Sequence, residues 1–266
     1  MGVPGRSRWG HAARALLILG AAGFGLWAEW PRLTRAPAEP IIYVAVGVGL
    51  VATGLLVGAE RAQRANGALF VAGGLAWLAN GLGTRLWGPL PTVGWVVRPL
   101  DELLLMVILL RYPASRITDP LIRRVVLAGV VAVLVPFYAS GLVWDPYPDG
   151  WPRTLWWPTV VGANAVAHTL WRVYTGAALV LAAVVVALVV RRYLRSRGLA
   201  RRELVPVLVS TGAAAVSYVV LGAVGLVTGS DDNGPALAIS SDLVALTVPV
   251  AFAIAALRRR LDRSAV

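Results

Sequence analysis

The chain has 266 residues, 58% of them hydrophobic and 14% charged, with a mean hydropathy of +0.72. A water-soluble domain of this length must wet its surface with more charge, so that class is excluded. The net charge of +12 does not mark a nucleic-acid binder: the arginines that carry it sit at the ends of apolar runs, where they set topology and face anionic lipid headgroups.

Eight apolar runs follow in chain order, at about 12–28, 41–59, 67–87, 92–110, 121–143, 169–190, 204–228 and 235–257. Crossing the hydrocarbon core takes roughly 20 apolar residues, and the runs match that length. The pattern predicts an all-α polytopic membrane bundle of about eight transmembrane helices over residues 1–257, with 258–266 a short basic tail that continues the last helix. The first run follows Arg6, Arg8 and Arg14 and has the layout of a signal sequence. No small-x-small cleavage site comes after it, so it reads as an uncleaved helix.

The connectors test this count. With the N-terminus in the cytoplasm, the inner segments hold nineteen of the twenty-five arginines. The outer half holds six: Arg32, Arg35, Arg85, Arg98, Arg153 and Arg172. The bias alternates in step with the runs, and one helix more or fewer would break it. The positive-inside rule then expects both termini in the cytoplasm and the chain in the plasma membrane.

The longest outer connector, 144–158, reads WDPYPDGWPRTLWWP. Its prolines and glycine rule out a regular helix. Trp144, Tyr147, Trp151, Trp156 and Trp157 suit the bilayer interface, where a ring and its N–H or O–H are both satisfied. An aromatic belt is a simpler reading of them than a lid over a ligand. Residues 228–235 (TGSDDNGP) read as a solvated acidic turn with Asp231 and Asp232 at its centre. Pro99, Pro136, Pro206 and Pro249 fall inside runs, where neighbours must satisfy the carbonyls they free. Gly73-Gly74 and Gly222-x-x-Gly225 permit close helix approach.

Ionisable groups inside the membrane are costly, so each is a candidate for function. The fourth run carries Arg98, Asp101 and Glu102 in VVRPLDELLLM, at spacings that let all three share a face. Counted at about 1.5 Å per residue, Asp101 lies roughly 13 Å below Thr92, and Asp242 of the last run roughly 10 Å below Pro235. Arg98 and Asp242 are therefore expected at similar depth, where the two could meet. Asn80 lies near the outer end of the third run, and His168 and Arg172 open the sixth. All seven fall in the outer half or near the midplane. This predicts a polar pocket opening outward and argues against a continuous polar path across the bilayer. The competing reading is structural: Arg–carboxylate pairs pin helices, and outer arginines snorkel.

Soluble-type catalysis finds no foothold. There is no cysteine, and His11 and His168 are the only histidines, so neither a thiolate site nor a His-rich metal site is expected. G-x-S-x-G, H-E-x-x-H, Walker A and dinucleotide glycine patterns are missing from any usable context. Asp101 and Glu102 project about 100° apart on a helix, which makes them a poor acid/base pair across one substrate. No enzyme activity and no cofactor is expected.

Four stretches in order carry a resemblance: GGLAWLANGL (73–82), LLRYPASRITDPLIRRVV (109–126), RRELVPVLV (201–209) and VPVAFAIAALRRRLDRSAV (248–266). They resemble a glycine–tryptophan helix, a short inner loop of form F-P-x-G-R-L, an arginine pair with Pro-Val at the start of a late helix, and a last helix with a basic exit. Together they are similar to the multi-pass N-terminal region of actinobacterial-type sensor histidine kinases. The inner loop departs at Tyr112 and Ser115, where the family has Phe and Gly. In the family a phosphoacceptor helix pair and an ATP-binding domain follow. Here no His-box, Asn-box or ATP lid is present, and His11 precedes the first run, so no kinase activity is expected.

The resemblance implies a sensory input module of a two-component system, relaying an extracytoplasmic or intramembrane stimulus through the last helix. Its implied partners are the lipid bilayer, a second copy in a homodimer, and a cytoplasmic histidine kinase core or response-regulator system. The runner-up is a small permease or transporter subunit, for which repeat symmetry is missing.

Overall fold

A computed structural model describes residues 5–112, 114, 116–195, 199–228 and 235–264. Pro113, Ser115, Arg197 and the acidic pair Asp231–Asp232 lie outside the described residues. The described chain is helical, with no strand; one isolated bridge pairs Gly88 with Leu155. Helix α1 (Gly5–Ala28) leads through a single turn, α2 (Trp30–Leu33), to α3 (Ala38–Val57). Then come α4 (Arg64–Asn80), α5 (Leu90–Arg111), α6 (Pro120–Val143), α7 (Asn164–Arg195), α8 (Leu199–Thr228) and α9 (Pro235–Ser264).

Each predicted run is matched by one of these long helices. Seven of them are long and apolar enough to cross a bilayer, which makes the protein an all-α polytopic bundle. The eighth, α5, is not among the seven; it bears Arg98, Asp101 and Glu102. Two boundaries differ from expectation. The 67–87 run splits, because α4 stops at Asn80 and Gly81–Thr84 forms a 3-10 turn: two glycines in four residues give up helix propensity. The sixth run extends both ways into the 32 residues of α7, beginning at Asn164. All four internal prolines lie within continuous helices.

The connections alternate between two ends. One carries α2, the Gly81–Thr84 turn and the irregular 144–163 segment, and is called here the tryptophan end. The arginine end carries the 3-10 turn Arg61–Gln63, the α5–α6 connection and the α7 and α9 termini. Asp119 caps α6 there, its carboxylate accepting from Leu121 N–H at 2.8 Å. At the tryptophan end, Gly88 N–H donates to Thr154 and Trp156 N–H donates to Gly88, tying the 144–163 segment to the start of α5.

The core explains why a charged helix belongs in the bundle. One apolar cluster joins Leu50 of α3, Phe70 of α4, Ile108 of α5 and Phe252 of α9. A second joins Met106 of α5 to Phe137 of α6 and Val185 of α7. Helix α5 contributes to both, so it stands between two packed cores while the other helices show large apolar side chains outward, such as Leu127, Val180, Val216 and Val250. A monomer dissolved in water would not leave such faces bare along most of its helices; in lipid they are solvated.

Helices α3 and α4 pack closely along glycines. A Cβ on Gly74 would lie 2.7 Å from the Gly47 carbonyl, and one on Gly67 would lie 2.6 Å from the Gly54 carbonyl. The expected close approach is thus made by Gly74; Gly73 has room. Trp77 and Tyr43 lock the same pair. Their rings stack at 5.0 Å, Trp77 Nε1–H donates to the Tyr43 carbonyl at 2.9 Å, and Tyr43 O–H donates to the Trp77 carbonyl.

Candidate functional site

Two cavities adjoin, one at the tryptophan end and a deeper one that runs on along α5 as far as Leu109. The outer one is about 490 Å³ and the deeper one about 360 Å³. Tyr43, Asn80 and Arg98 line both, so these three form their common wall. Each is placed by a helix already described: Tyr43 by its lock on Trp77, Asn80 as the last residue of α4, and Arg98 by α5 one residue before its proline.

The deeper cavity holds the carboxyl groups of α5. Asp101 is buried at 4% exposure and Oδ1 accepts from Glu102 N–H at 2.9 Å. Tyr218 of α8 donates its O–H to the Glu102 carboxylate, and Tyr174 of α7 lies beside the same group. Arg98 extends the other way, its guanidinium 4.9 Å above the Trp171 ring of α7. The three residues that shared a face by spacing therefore do line one cavity.

Asp242 lines that cavity too, but its charged surroundings differ from the expected pairing with Arg98. The groups acting on Asp242 are Glu39, Arg32 and Glu29. The reason is azimuth: α9 packs against α3 and α8, which turns Asp242 toward the start of α3, and a depth count along a helix carries no information about direction around it.

The outer cavity contains a group that sequence reasoning missed. Glu29 sits just past the end of α1 at 1% exposure. Arg32 donates to Glu29 at 3.3 Å and also pairs with Glu39. The second Glu29 oxygen, Oε1, has no hydrogen-bond partner among the described residues. Burial pushes the Glu29 carboxyl up to about 7, against the lowering effect of Arg32. Gly81 makes room for it; a Cβ there would lie 2.6 Å from Oε1. An available signal was the Glu29–Arg32 spacing of three residues directly after an apolar run.

The 144–158 tryptophans divide. Trp144, Trp151 and Trp157 line the outer cavity, whereas Trp156 is 57% exposed and Tyr147 40% exposed, with its O–H donating to the Leu155 carbonyl. Trp144 meets Trp151 at 90° and Trp157 at 86°, with ring centroids 5.5 and 5.0 Å apart. Trp95 of α5 completes the wall, 5.2 Å from Trp157. Trp144 Nε1–H donates to Asp149 at 2.7 Å, and Trp157 Nε1–H to the Gly141 carbonyl at 2.8 Å. His168 lines the same cavity from α7, while Arg172 is exposed and lines neither.

The arrangement is suited to holding a molecule. Among the described residues no group of three or more His, Asp or Glu is placed to hold a metal ion. At the arginine end the deeper cavity gives way to apolar side chains such as Leu50 and Leu109. Below it Tyr112, the cap of α5, packs edge-on against Phe252 of α9 at 4.8 Å, and Arg259 of α9 lies 4.9 Å from the Tyr112 ring. Compared with protein-family models, curated proteins and solved structures, the chain matches none.

Proposed function

We propose that the protein is a membrane-embedded input module of a two-component signalling system. In this reading the tryptophan end faces outward from the plasma membrane, both termini are cytoplasmic, and a stimulus reaching the cavities is relayed through α9 to a cytoplasmic kinase core or partner. The observation that carries it is the placement of α5. Its middle supplies charged groups to the wall of the deeper cavity, and its cap, Tyr112, abuts α9 at Phe252 and Arg259. Helix α9 then runs on to Ser264, 30 residues in all, or about 45 Å against a hydrocarbon core of about 30 Å. A shift of α5 biased by an occupant thus has a packed route to a helix that leaves the bilayer. The arginine asymmetry supports the orientation, and the four stretches similar to sensor-kinase membrane regions support the class.

The test is complementation of a deletion strain, read by response-regulator phosphorylation and regulon expression. Wild type should restore the response; Arg98→Leu and Asp101→Leu should not, at equal abundance in the membrane. Restoration by both variants would overturn the reading. One observation favours a permease instead: the deeper cavity continues along α5 from Asp101 to Leu109. A solute-uptake defect in the deletion strain with an unchanged regulon would select that alternative.

A further inference from the structure

The charge around the cavities runs against the charge of the chain. The protein has 25 arginines and 13 acidic residues. Among the residues lining the two cavities the balance inverts. Glu29 and Asp149 line the outer cavity, and Asp101, Glu102 and Asp242 the deeper one. Against these five carboxyl groups stand two arginines, Arg32 and Arg98, with His168 at the outer cavity. Arg32 is already held between Glu29 and Glu39, so it brings no surplus positive charge.

Two further features say what kind of charge is wanted. Glu29 is 99% shielded from solvent and lines the outer cavity, and its Oε1 lacks a hydrogen-bond partner among the described residues. A buried carboxylate oxygen left in that state costs free energy until a donor or cation arrives. In the lining of the same cavity, Trp144 stands at near right angles to Trp151 and to Trp157, and the indole N–H groups of Trp144 and Trp157 are already satisfied. Faces rather than edges are then left to act on an occupant, and perpendicular indole faces are the arrangement that recognises alkylated ammonium groups. Below, the deeper cavity offers aliphatic walls from Leu50, Met106 and Val185.

We infer that the outer cavity is a binding site for a lipophilic organic ammonium ion, its cationic head held between the tryptophan corner and Glu29 and its apolar body directed toward the deeper cavity. This rests on the sensor reading only for its biological role, since binding is a property of the isolated chain.

The test uses the full chain in lipid nanodiscs and follows tryptophan fluorescence with benzyltrimethylammonium as probe. Saturable quenching is expected, with phenylmethanesulfonate and benzyl alcohol binding at least tenfold more weakly. Glu29→Gln and Trp144→Leu should each weaken the ammonium ion at least tenfold. Asp149→Asn, at the exposed rim where folding is least at stake, should weaken it by a smaller factor. Trp27→Leu, at a ring that lines neither cavity, should leave it unchanged. Equal binding of the sulfonate, or wild-type affinity in both Glu29→Gln and Asp149→Asn, would overturn the inference. Probe binding in nanodiscs without any change in the cellular regulon would uphold this inference and defeat the sensor reading. A regulon response without probe binding would do the reverse.

Discussion

The α3–α4 contact can be tested at a single carbon. Gly67→Ala places a methyl group 2.4 Å from Gly58 Cα and 2.6 Å from both the Gly54 carbonyl oxygen and the Gly58 amide nitrogen. An ordinary contact begins at 3.4 Å, so the two segments must part by about 1.0 Å at that point. These obstacles are backbone, which cannot rotate away as a side chain does. A gap of that size forfeits about a quarter to a half of each dispersion contact it opens, and overpacking of this kind costs about 1–3 kcal/mol. Replacing glycine by alanine inside a helix returns up to about 1 kcal/mol of propensity, which leaves a net loss of up to about 2 kcal/mol. Gly20→Ala in α1 supplies the control, because a Cβ there meets nothing within 4 Å and only the propensity gain applies. Equilibrium unfolding in mixed micelles, followed by far-UV circular dichroism, should rank Gly20→Ala at or above wild type and Gly67→Ala below it. Equal stability of the two variants would refute the close approach and with it the placement of Tyr43 and Asn80 on the cavity wall.

The chain has no cysteine, so introduced ones are unique labels. In intact cells a membrane-impermeant maleimide should label Thr34→Cys at the tryptophan end and spare Ala114→Cys at the arginine end, with both labelled after lysis. Glu29, held near a folded value of about 7 with Arg32, Glu39, Asp242 and Tyr43 as its charged and titratable neighbours, makes stability depend on pH. Its folded value lies above the unfolded one, so the stabilisation it gives is full below about pH 4.5 and is lost as pH rises through 7, amounting to about 3 kcal/mol. Glu29→Gln should flatten that slope in melts recorded from pH 5 to 8. Tyr218→Phe removes a donor from the Glu102 carboxylate and should cost about 1–3 kcal/mol in the same micelle assay.

The helices were legible because lipid imposes length. Each long helix needed an uninterrupted apolar run, and the arginines between runs kept count. Helix α5 was legible as a long helix, since the alternation required one there, although it lacks the composition that marks the other seven as able to span. What sequence could not supply was direction around an axis. The depth of Asp242 was countable, yet the charges that act on it most are Glu39, Arg32 and Glu29, because α9 packs on α3. The same limit applied to the 144–158 tryptophans. An irregular backbone pinned by Val160 N–H to Leu142 and Ala163 N–H to Val143 decides which rings turn inward, and no period in the sequence encodes that. Glu29 and Glu39 were passed over because they lie in a connector, where a carboxylate reads as solvated until the fold buries it.

The position of α5 is what makes its charges affordable to the bundle and useful to the site. A helix at the rim would expose Arg98, Asp101 and Glu102 to hydrocarbon, where each carries a penalty of several kcal/mol. Between two apolar cores, the same residues face a cavity and the hydroxyl of Tyr218 instead. That placement also removes any slack: Leu103, Met106 and Leu110 key into one core and Ile108 and Tyr112 into the other, so α5 cannot move at Asp101 without moving at Tyr112. Packed interiors shift between discrete arrangements rather than deforming smoothly. In the proposed input-module reading, a change in the charge held beside Asp101 acts on the contacts of Tyr112 with Phe252 and Arg259.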